Sequence, residues 1–123
     1  MQVLIVDGAN VVGSRPDGWW RDRAGAAHRL HDQLSAADRP EDEIVLVLEG
    51  QARRGPHAGQ EARLRTVHAD GSGDDAILDE VRRQVAVGDG RGVVVVTADR
   101  QLRQRVEEAG ADSRSPTWLL DQW

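Results

Sequence analysis

Three short runs of apolar residues indicate that the chain forms buried strands. Residues 2 to 6, 44 to 48 and 93 to 96 consist almost entirely of Val, Ile and Leu. An unbroken apolar run of this length is typical of a strand covered on both faces, as in a parallel sheet. Residues 64 to 67 predict a fourth, weaker strand, because Arg and Thr interrupt its apolar pattern.

Helical periodicity separates these strands. Apolar residues recur every three or four positions from Trp20 to Ala37, and Pro40 ends the pattern because proline disfavours a helical conformation in the residue before it. A second predicted helix follows Gly73 and closes in the glycine-rich stretch 88 to 92. A third helix follows the last strong strand and ends at Gly110.

Strands alternating with helices predict an α/β fold. We expect a three-layer α/β/α sandwich with a central, mostly parallel sheet of four or five strands. Residues 13 to 18 and 51 to 60 are predicted loops by composition, and residues 111 to 123 are predicted to add a short strand and a turn. A length of 123 residues fits one domain, residues 1–123.

Composition and charge argue against several classes of protein. With 39% hydrophobic residues and no apolar run approaching about 18 residues, we expect neither a disordered chain nor a membrane partner. The absence of cysteine excludes disulfides and thiolate zinc sites, and no signal peptide is predicted, so we expect a cytoplasmic protein. A net charge of −5 argues against non-specific coating of nucleic acid but not against an enzyme that acts on it.

Acidic residues gather where the predicted strands end. Asp7, Glu49 and Asp99 follow the three strong strands, and Asp74 and Asp75 open the helix after the weaker one. Because ligands bind at the carboxyl edge of such sheets, we expect these side chains to converge there. Converging carboxylates repel by about 1 kcal/mol per pair even at water-like dielectric, so they favour a bound cation. Oxygen ligands of this type suit Mg²⁺ or Mn²⁺.

Each acid also has an ordinary structural interpretation. Asp7 with the following glycine is common turn chemistry. Ser72 or Asp74 can cap the second helix, with Asp75 in its favourable first turn, and Asp99 can cap the third. The sequence leaves these interpretations open beside the metal site.

Three motifs together resemble a known family. They lie in order within the stretch from Val3 to about Val106 and read Asp7-Gly8-Ala9-Asn10, Gly73-Asp74-Asp75-Ala76-Ile77 and Val96-Thr97-Ala98-Asp99. This ordered set resembles the NYN family of PIN-like ribonucleases. The resemblance implies a divalent-metal site that hydrolyses RNA through a metal-activated water. By position, Asp7, Asp75 and Asp99 would be metal ligands and Asp74 a second-shell or alternate ligand. Asn10 would orient a water, a phosphate or Asp7.

Two positions depart from the family's pattern. PIN-like sites often have a further acid one helical turn after the last Asp, where this chain has Arg103. Glu49 stands where Asp is common, and as a further metal ligand it would place its oxygens differently. These departures leave open whether one or two metals bind. They also support an alternative function, a catalytically weak or inactive PIN-like domain that binds RNA.

A phosphatase of the haloacid dehalogenase type, or a receiver domain, fits the sequence less well. The phosphatase requires an acid where this chain has Ala9. Both also require a lysine, and the chain contains none.

Basic and aromatic residues near the predicted site are candidates for binding RNA. Arg15, Arg53 and Arg54 lie in loops that leave the same edge, and Arg100 and Arg103 follow Asp99, so all five arginines are predicted phosphate contacts. Trp19 is predicted to stack on a base, whereas Trp20 lies on the apolar stripe of the first helix and is predicted to be core. The expected partner is single-stranded or structured RNA, and a homodimer is left open.

Overall fold

The computed structural model describes all 123 residues. The strands are β1 Gln2–Asp7, β2 Glu43–Leu48, β3 Gly59–Glu61, β4 Leu64–His68, β5 Gly92–Val96 and β6 Asp112–Arg114. The helices are α1 Gly8–Gly13, α2 Arg23–Ala36, α3 Gly73–Ala86, α4 Arg100–Glu108 and α5 Pro116–Leu120, with short 3-10 helices at Trp19–Arg21 and Gly50–Arg54. No helix combines the length and apolar character needed to cross a membrane.

The six strands form one sheet in the order β3-β4-β2-β1-β5-β6. All pairings are parallel except the antiparallel pair β3 and β4. Asp7 at the end of β1 is in register with Val47 of β2, and Val6 is in register with Val96 of β5. The carboxyl ends of the three central strands therefore lie at one edge of the sheet, with β1 in the middle.

Two hydrophobic clusters fill the space between the sheet and its helices. Successive β1 residues alternate between them: Val3 and Ile5 pack with α3 and α4, whereas Leu4 and Val6 pack with α1, α2 and α5. All four side chains are fully buried. This two-sided burial explains the unbroken apolar pattern of β1.

The α/β fold with helices on both faces of a mostly parallel sheet agrees with the expectation, but the sheet has six strands, not four or five. The additional strand β3 lies in the stretch that was predicted to be a loop. Its residues, Gly59 to Glu61, are all exposed and carry no apolar pattern. Their backbone pairs with β4 instead, and such pairing depends on two segments meeting in space.

The start of the first long helix also differs from the prediction. A 3-10 helix holds residues 19 to 21, and α2 begins only at Arg23, where the Asp22 side chain accepts a hydrogen bond from the Gly25 amide. The prediction that Trp20 lies in the core is wrong, because its side chain is 55% exposed. The change of helix type before α2 shifts Trp20 away from the apolar stripe that begins at Ala26.

The close approach of α1 to β2 makes Gly8 a sensitive position. A β-carbon on Gly8 would lie 2.7 Å from the Val47 carbonyl oxygen and 2.8 Å from Leu48 Cδ2. We expect Gly8→Ala to lower the free energy of unfolding by about 1–3 kcal/mol, because the backbone must shift to relieve this overlap. Urea unfolding measures the loss. Gly71→Ala is the matched control, since a β-carbon there meets nothing within 4 Å. Equal stability of the two variants would contradict the close approach.

Candidate active site

Acidic side chains from three strand ends and one helix start meet at the carboxyl edge of the sheet. Asp7 ends β1, Glu49 follows β2, and Asp99 follows β5 at the start of α4. Asp74 lies in the first turn of α3, whose helix contacts β1, β2 and β5. Because β1 lies between β2 and β5, Asp7 occupies the centre of this group, which we call the acidic cluster.

Asp7 is the buried member of the acidic cluster, with only 3% of its surface exposed. Its Oδ2 accepts hydrogen bonds from Asn10 Nδ2 at 2.7 Å and from Thr97 Oγ1 at 2.8 Å, and its Oδ1 accepts one from the Asn10 amide at 3.3 Å. Burial raises the pKa of Asp7, these hydrogen bonds oppose the rise, and the Glu49 carboxylate adds to it. The local geometry thus fixes the carboxylate in place with its pKa above the ordinary value.

Glu49 connects the end of β2 to the start of α3. Its Oε2 accepts a hydrogen bond from the Gly73 amide at 2.6 Å. A β-carbon on Gly73 would come within 2.9 Å of the same oxygen, so the glycine permits this approach. The contact brings the first turn of α3 to the acidic cluster.

Asp74 experiences the charge of every other acid in the cluster. Its pKa is raised first by burial and then by the carboxylates of Asp99, Asp7 and Glu49, while Arg105 lowers it. Asp74 is only partly buried. The four acids therefore lie close enough to repel one another.

Asp75, the residue named as a ligand by position, faces elsewhere. It is exposed and lines a groove with Asp79 and Arg83. The structure brings Asp74, and not Asp75, to Asp7. The two neighbours diverge because consecutive helical residues point about 100° apart.

Asp99 caps α4 while belonging to the acidic cluster. Its Oδ1 accepts hydrogen bonds from the amides of Gln101 at 2.9 Å and Leu102 at 3.1 Å, and its own amide donates to Thr97 Oγ1 at 3.2 Å. The capping interpretation is therefore correct for Asp99. Its Oδ2 takes part in none of these bonds and remains available to a ligand.

The acidic cluster contains oxygen ligands in the number and type that a hard divalent cation prefers. As the side chains stand, however, no three His, Asp or Glu residues are placed so that they could hold one metal ion together. Asp74, Asp99 and Glu49 are only partly buried, so their side chains have room to rotate. The donor set fits a divalent cation, and its present geometry requires such a rotation for binding.

The predicted phosphate-binding arginines fall into two groups. Arg53 and Arg103 are held by internal bonds: Arg53 donates to the carbonyls of Gly50 and Ala69, and Arg103 Nε donates to Ser113 Oγ at 2.9 Å. Arg54 and Arg100 are exposed, and Arg15 is half-buried with its guanidinium 5.4 Å from the ring centre of Trp123. Burial lowers the pKa of Arg15.

A cavity of about 390 Å³ opens beside the acidic cluster. Its lining includes Gly8, which follows Asp7, together with Glu49 and Gly71. The half-buried indole of Trp19 forms part of the opposite wall, as does Arg23. The structure therefore places Trp19 next to the site.

Two residues with a direct influence on the acids were not predicted as site residues. Thr97 is fully buried and links Asp7 to Asp99 through its hydroxyl. The sequence signal that could have identified Thr97 is its position two residues before Asp99, at the end of a strand. Arg105 lowers the pKa of Asp74 across the packed pair α3 and α4, and no local sequence pattern indicates that contact.

The Thr97 hydroxyl is expected to hold Asp7 in place. Thr97→Val keeps the shape but removes the donor to Asp7 Oδ2, so we expect the pKa of Asp7 to rise further and the free energy of unfolding to fall by about 1–3 kcal/mol. Carboxyl-carbon NMR titration and urea unfolding measure the two effects. Thr97→Ser retains the hydroxyl and should resemble the wild type. An unchanged Asp7 pKa in Thr97→Val would contradict the role of this bond.

Burial of Asp74 and its repulsion by the other acids of the cluster together predict a pH-dependent effect of this residue on stability. The raised pKa means that the folded protein binds a proton at Asp74 more readily than the unfolded chain does. The free energy of unfolding therefore falls as pH rises from the ordinary value of 3.8 through the raised value. In EDTA, we expect Asp74→Asn to raise stability at neutral pH by less than about 1 kcal/mol, given the exposure of Asp74, and the gain to shrink towards pH 4.

Asp75→Asn is the matched control for this measurement, because Asp75 shares the first turn of α3 but lines the groove with Asp79 and Arg83. Urea unfolding of both variants across the same pH range separates the combined effect of burial and repulsion at Asp74 from a general effect of the helix dipole. A gain of equal size in both variants would show that burial and repulsion at Asp74 are not its cause.

No family model matches the chain, and no curated protein matches its sequence. Among solved structures, the chain is similar to two crystal structures of Rae1 (YacP) from Bacillus subtilis. One, of a mutant form, aligns with a TM-score of 0.67 at 18% identity and covers 98% of this chain and 74% of that chain. The other aligns with a TM-score of 0.64 at 18% identity and covers 98% and 72%. This likeness shows that the chain shares the fold of those structures.

Proposed function

We propose that the protein is a divalent-metal-dependent ribonuclease that hydrolyses phosphodiester bonds of RNA. The observation that carries the proposal is the gathering of three further carboxylates around the buried Asp7 at the carboxyl edge of a mostly parallel sheet. The order of the three motifs, which resembles that of NYN ribonucleases, agrees with this function. The shared fold with Rae1 (YacP) is compatible with it but does not extend beyond architecture.

Electrostatics supports a cation at the acidic cluster. Asp7, Glu49, Asp74 and Asp99 lie together, and Arg105 offsets their effect on the pKa of Asp74 only in part. Unneutralised carboxylates in a partly buried site repel each other more strongly than they would in water. A divalent cation would offset this repulsion. Cation binding would therefore account for the grouping of these acids, which helix capping alone does not explain.

The ligand set that we propose differs from the one implied by position along the chain. Asp7, Asp74 and Asp99 would hold Mg²⁺ or Mn²⁺, and Glu49 would supply a further carboxylate from the end of β2. We leave Asp75 out of the ligand set, because it is exposed and lines a groove with Asp79 and Arg83. When bound, such a cation lowers the pKa of a water and stabilises charge on the phosphate oxygens.

The surrounding residues would position the reacting groups. Asn10 and Thr97 fix the Asp7 carboxylate through bonds of 2.7 and 2.8 Å. The capping bonds of Asp99 Oδ1 leave its second oxygen free to face the substrate side. The exposed Arg54 and Arg100 would contact the RNA backbone, which carries the charge that arginine forks recognise.

A second candidate function is an RNA-binding domain of the same fold without catalytic activity. The specific observation in its favour is Arg103, which occupies the position of a further acid in PIN-like sites and is bonded to Ser113 Oγ. The absence of a preformed three-ligand group also favours it. The two functions differ in whether the acidic cluster is required for a chemical step.

A cleavage assay separates the two functions. Labelled single-stranded and structured RNAs are incubated with the protein in Mn²⁺, Mg²⁺ or EDTA. We expect cleavage in at least one metal and none in EDTA. We also expect Asp7→Asn and Asp74→Asn each to reduce the rate by about 100-fold or more, since both remove a ligand.

Two control variants sharpen the assay. Asp75→Asn changes an acid of the same helical turn that faces away, and Asp32→Asn changes an exposed acid on α2. Both should cleave at the wild-type rate. Cleavage that persists in EDTA or in Asp7→Asn would rule out the metal-dependent nuclease, and RNA binding without any cleavage would favour the second function.

A further inference from the structure

The cavity beside the acidic cluster has a composition that the hydrolytic site does not require. Its volume of about 390 Å³ lies within the range of small-ligand pockets. Apolar side chains of Val12, Ala27 and Leu48 form much of its wall, with the Trp19 indole among them. An apolar, aromatic cavity is unnecessary for a cluster that only binds a cation and a phosphate.

The Trp19 indole is held in position by its neighbours. A β-carbon built on Gly13 would lie 3.8 Å from its Cζ2, so the ring lies near the end of α1. The Arg23 guanidinium is 5.2 Å from the ring centre, and Trp20 packs edge-on with ring centres 6.0 Å apart. An indole with this support is a preorganised surface for a planar ligand.

The lining of the cavity carries two opposite charges: Glu49 borders the acidic cluster, and the Arg23 guanidinium lies beside the Trp19 ring. Glu49 contributes a carboxylate to the wall, and its neighbours in the acidic cluster reinforce the negative potential at that end. A phosphate would be repelled there in the absence of a cation. A flat, uncharged group with polar edges suits both the apolar wall and the charged rim, and a nucleobase has this chemistry.

We propose that this cavity, the Trp19 pocket, receives one base of the RNA substrate and stacks it against Trp19. This inference rests on the proposal that RNA is the substrate. Because Gly8 of the lining follows Asp7 directly in the chain, a base in the pocket places its own backbone at the acidic cluster. The Trp19 pocket therefore selects which phosphodiester is presented to the acids.

Binding of a nuclease-resistant oligonucleotide tests the pocket without requiring cleavage. A fluorescent 2′-O-methyl RNA hexamer is titrated with the protein in Mg²⁺, and its dissociation constant is measured by anisotropy. We expect Trp19→Leu to weaken binding about tenfold or more, since stacking on one aromatic side chain commonly contributes that much. Trp19→Phe keeps an aromatic ring and should retain most of the affinity.

Trp123→Leu is the matched control, because Trp123 is an exposed tryptophan that neither lines the pocket nor packs against Trp19. Its affinity should stay within about twofold of the wild type. The chain contains four tryptophans, so indole N–H NMR signals assigned by these variants identify the ring that the oligonucleotide contacts. The Trp19 signal should shift on binding.

Abasic scanning of the hexamer gives a second, independent readout on the unaltered protein. Removing the base at one position should weaken binding, and removal at the other positions should have little effect. Equal affinity of wild type and Trp19→Leu, an unmoved Trp19 signal, or no binding of the hexamer at all would each overturn the proposal.

The outcomes also distinguish this inference from the proposed function. Trp19-dependent binding without metal-dependent cleavage of any RNA would leave the pocket established and reject the nuclease. Cleavage that depends on Asp7 but is unaffected in rate and affinity by Trp19→Leu would establish the nuclease and reject the pocket. If Trp19→Leu fails to fold, Trp19→Phe and the abasic series decide the matter.

Discussion

The structure depends on holding one buried carboxylate at the centre of its sheet. Asp7 is only 3% exposed, and an unpartnered charge at such a position would be strongly destabilising. Hydrogen bonds from Asn10 and Thr97 compensate, and they come from the helix after β1 and the end of β5. Because the buried Asp7 carboxylate needs hydrogen-bond donors from the protein itself, it links the start of α1 to the end of the neighbouring strand β5.

Structural and functional interpretations of the other acids are compatible. Asp99 caps α4 through Oδ1, and Glu49 holds the Gly73 amide through Oε2. In each residue one oxygen secures a helix start, and the second oxygen takes part in neither contact. These contacts hold both residues at the carboxyl edge of the sheet, and a shared cation would still require their side chains to rotate.

Arg103, which stands where PIN-like sites often have an acid, has a structural role in this chain. Its guanidinium donates to Ser113 Oγ, and the same hydroxyl donates to Glu107, so these three side chains join α4 to β6. An acid at position 103 could not donate to Ser113. The position thus has a structural role in this chain, and the charge that an acid would supply comes from Glu49 in the proposed site.

The sequence by itself determined the buried strands, their alternation with helices and the edge at which Asp7, Glu49 and Asp99 collect. These features follow from local apolar runs and from the common direction of parallel strands. It did not determine β3, whose exposed residues form a strand only through backbone pairing with β4. Only the tertiary structure placed Asp74 near enough to the other acids for their charges to raise its pKa, while leaving Asp75 exposed. It also lined one cavity with both Trp19 and Glu49. Both outcomes depend on how each helix is rotated and packed on the sheet, which no local pattern specifies.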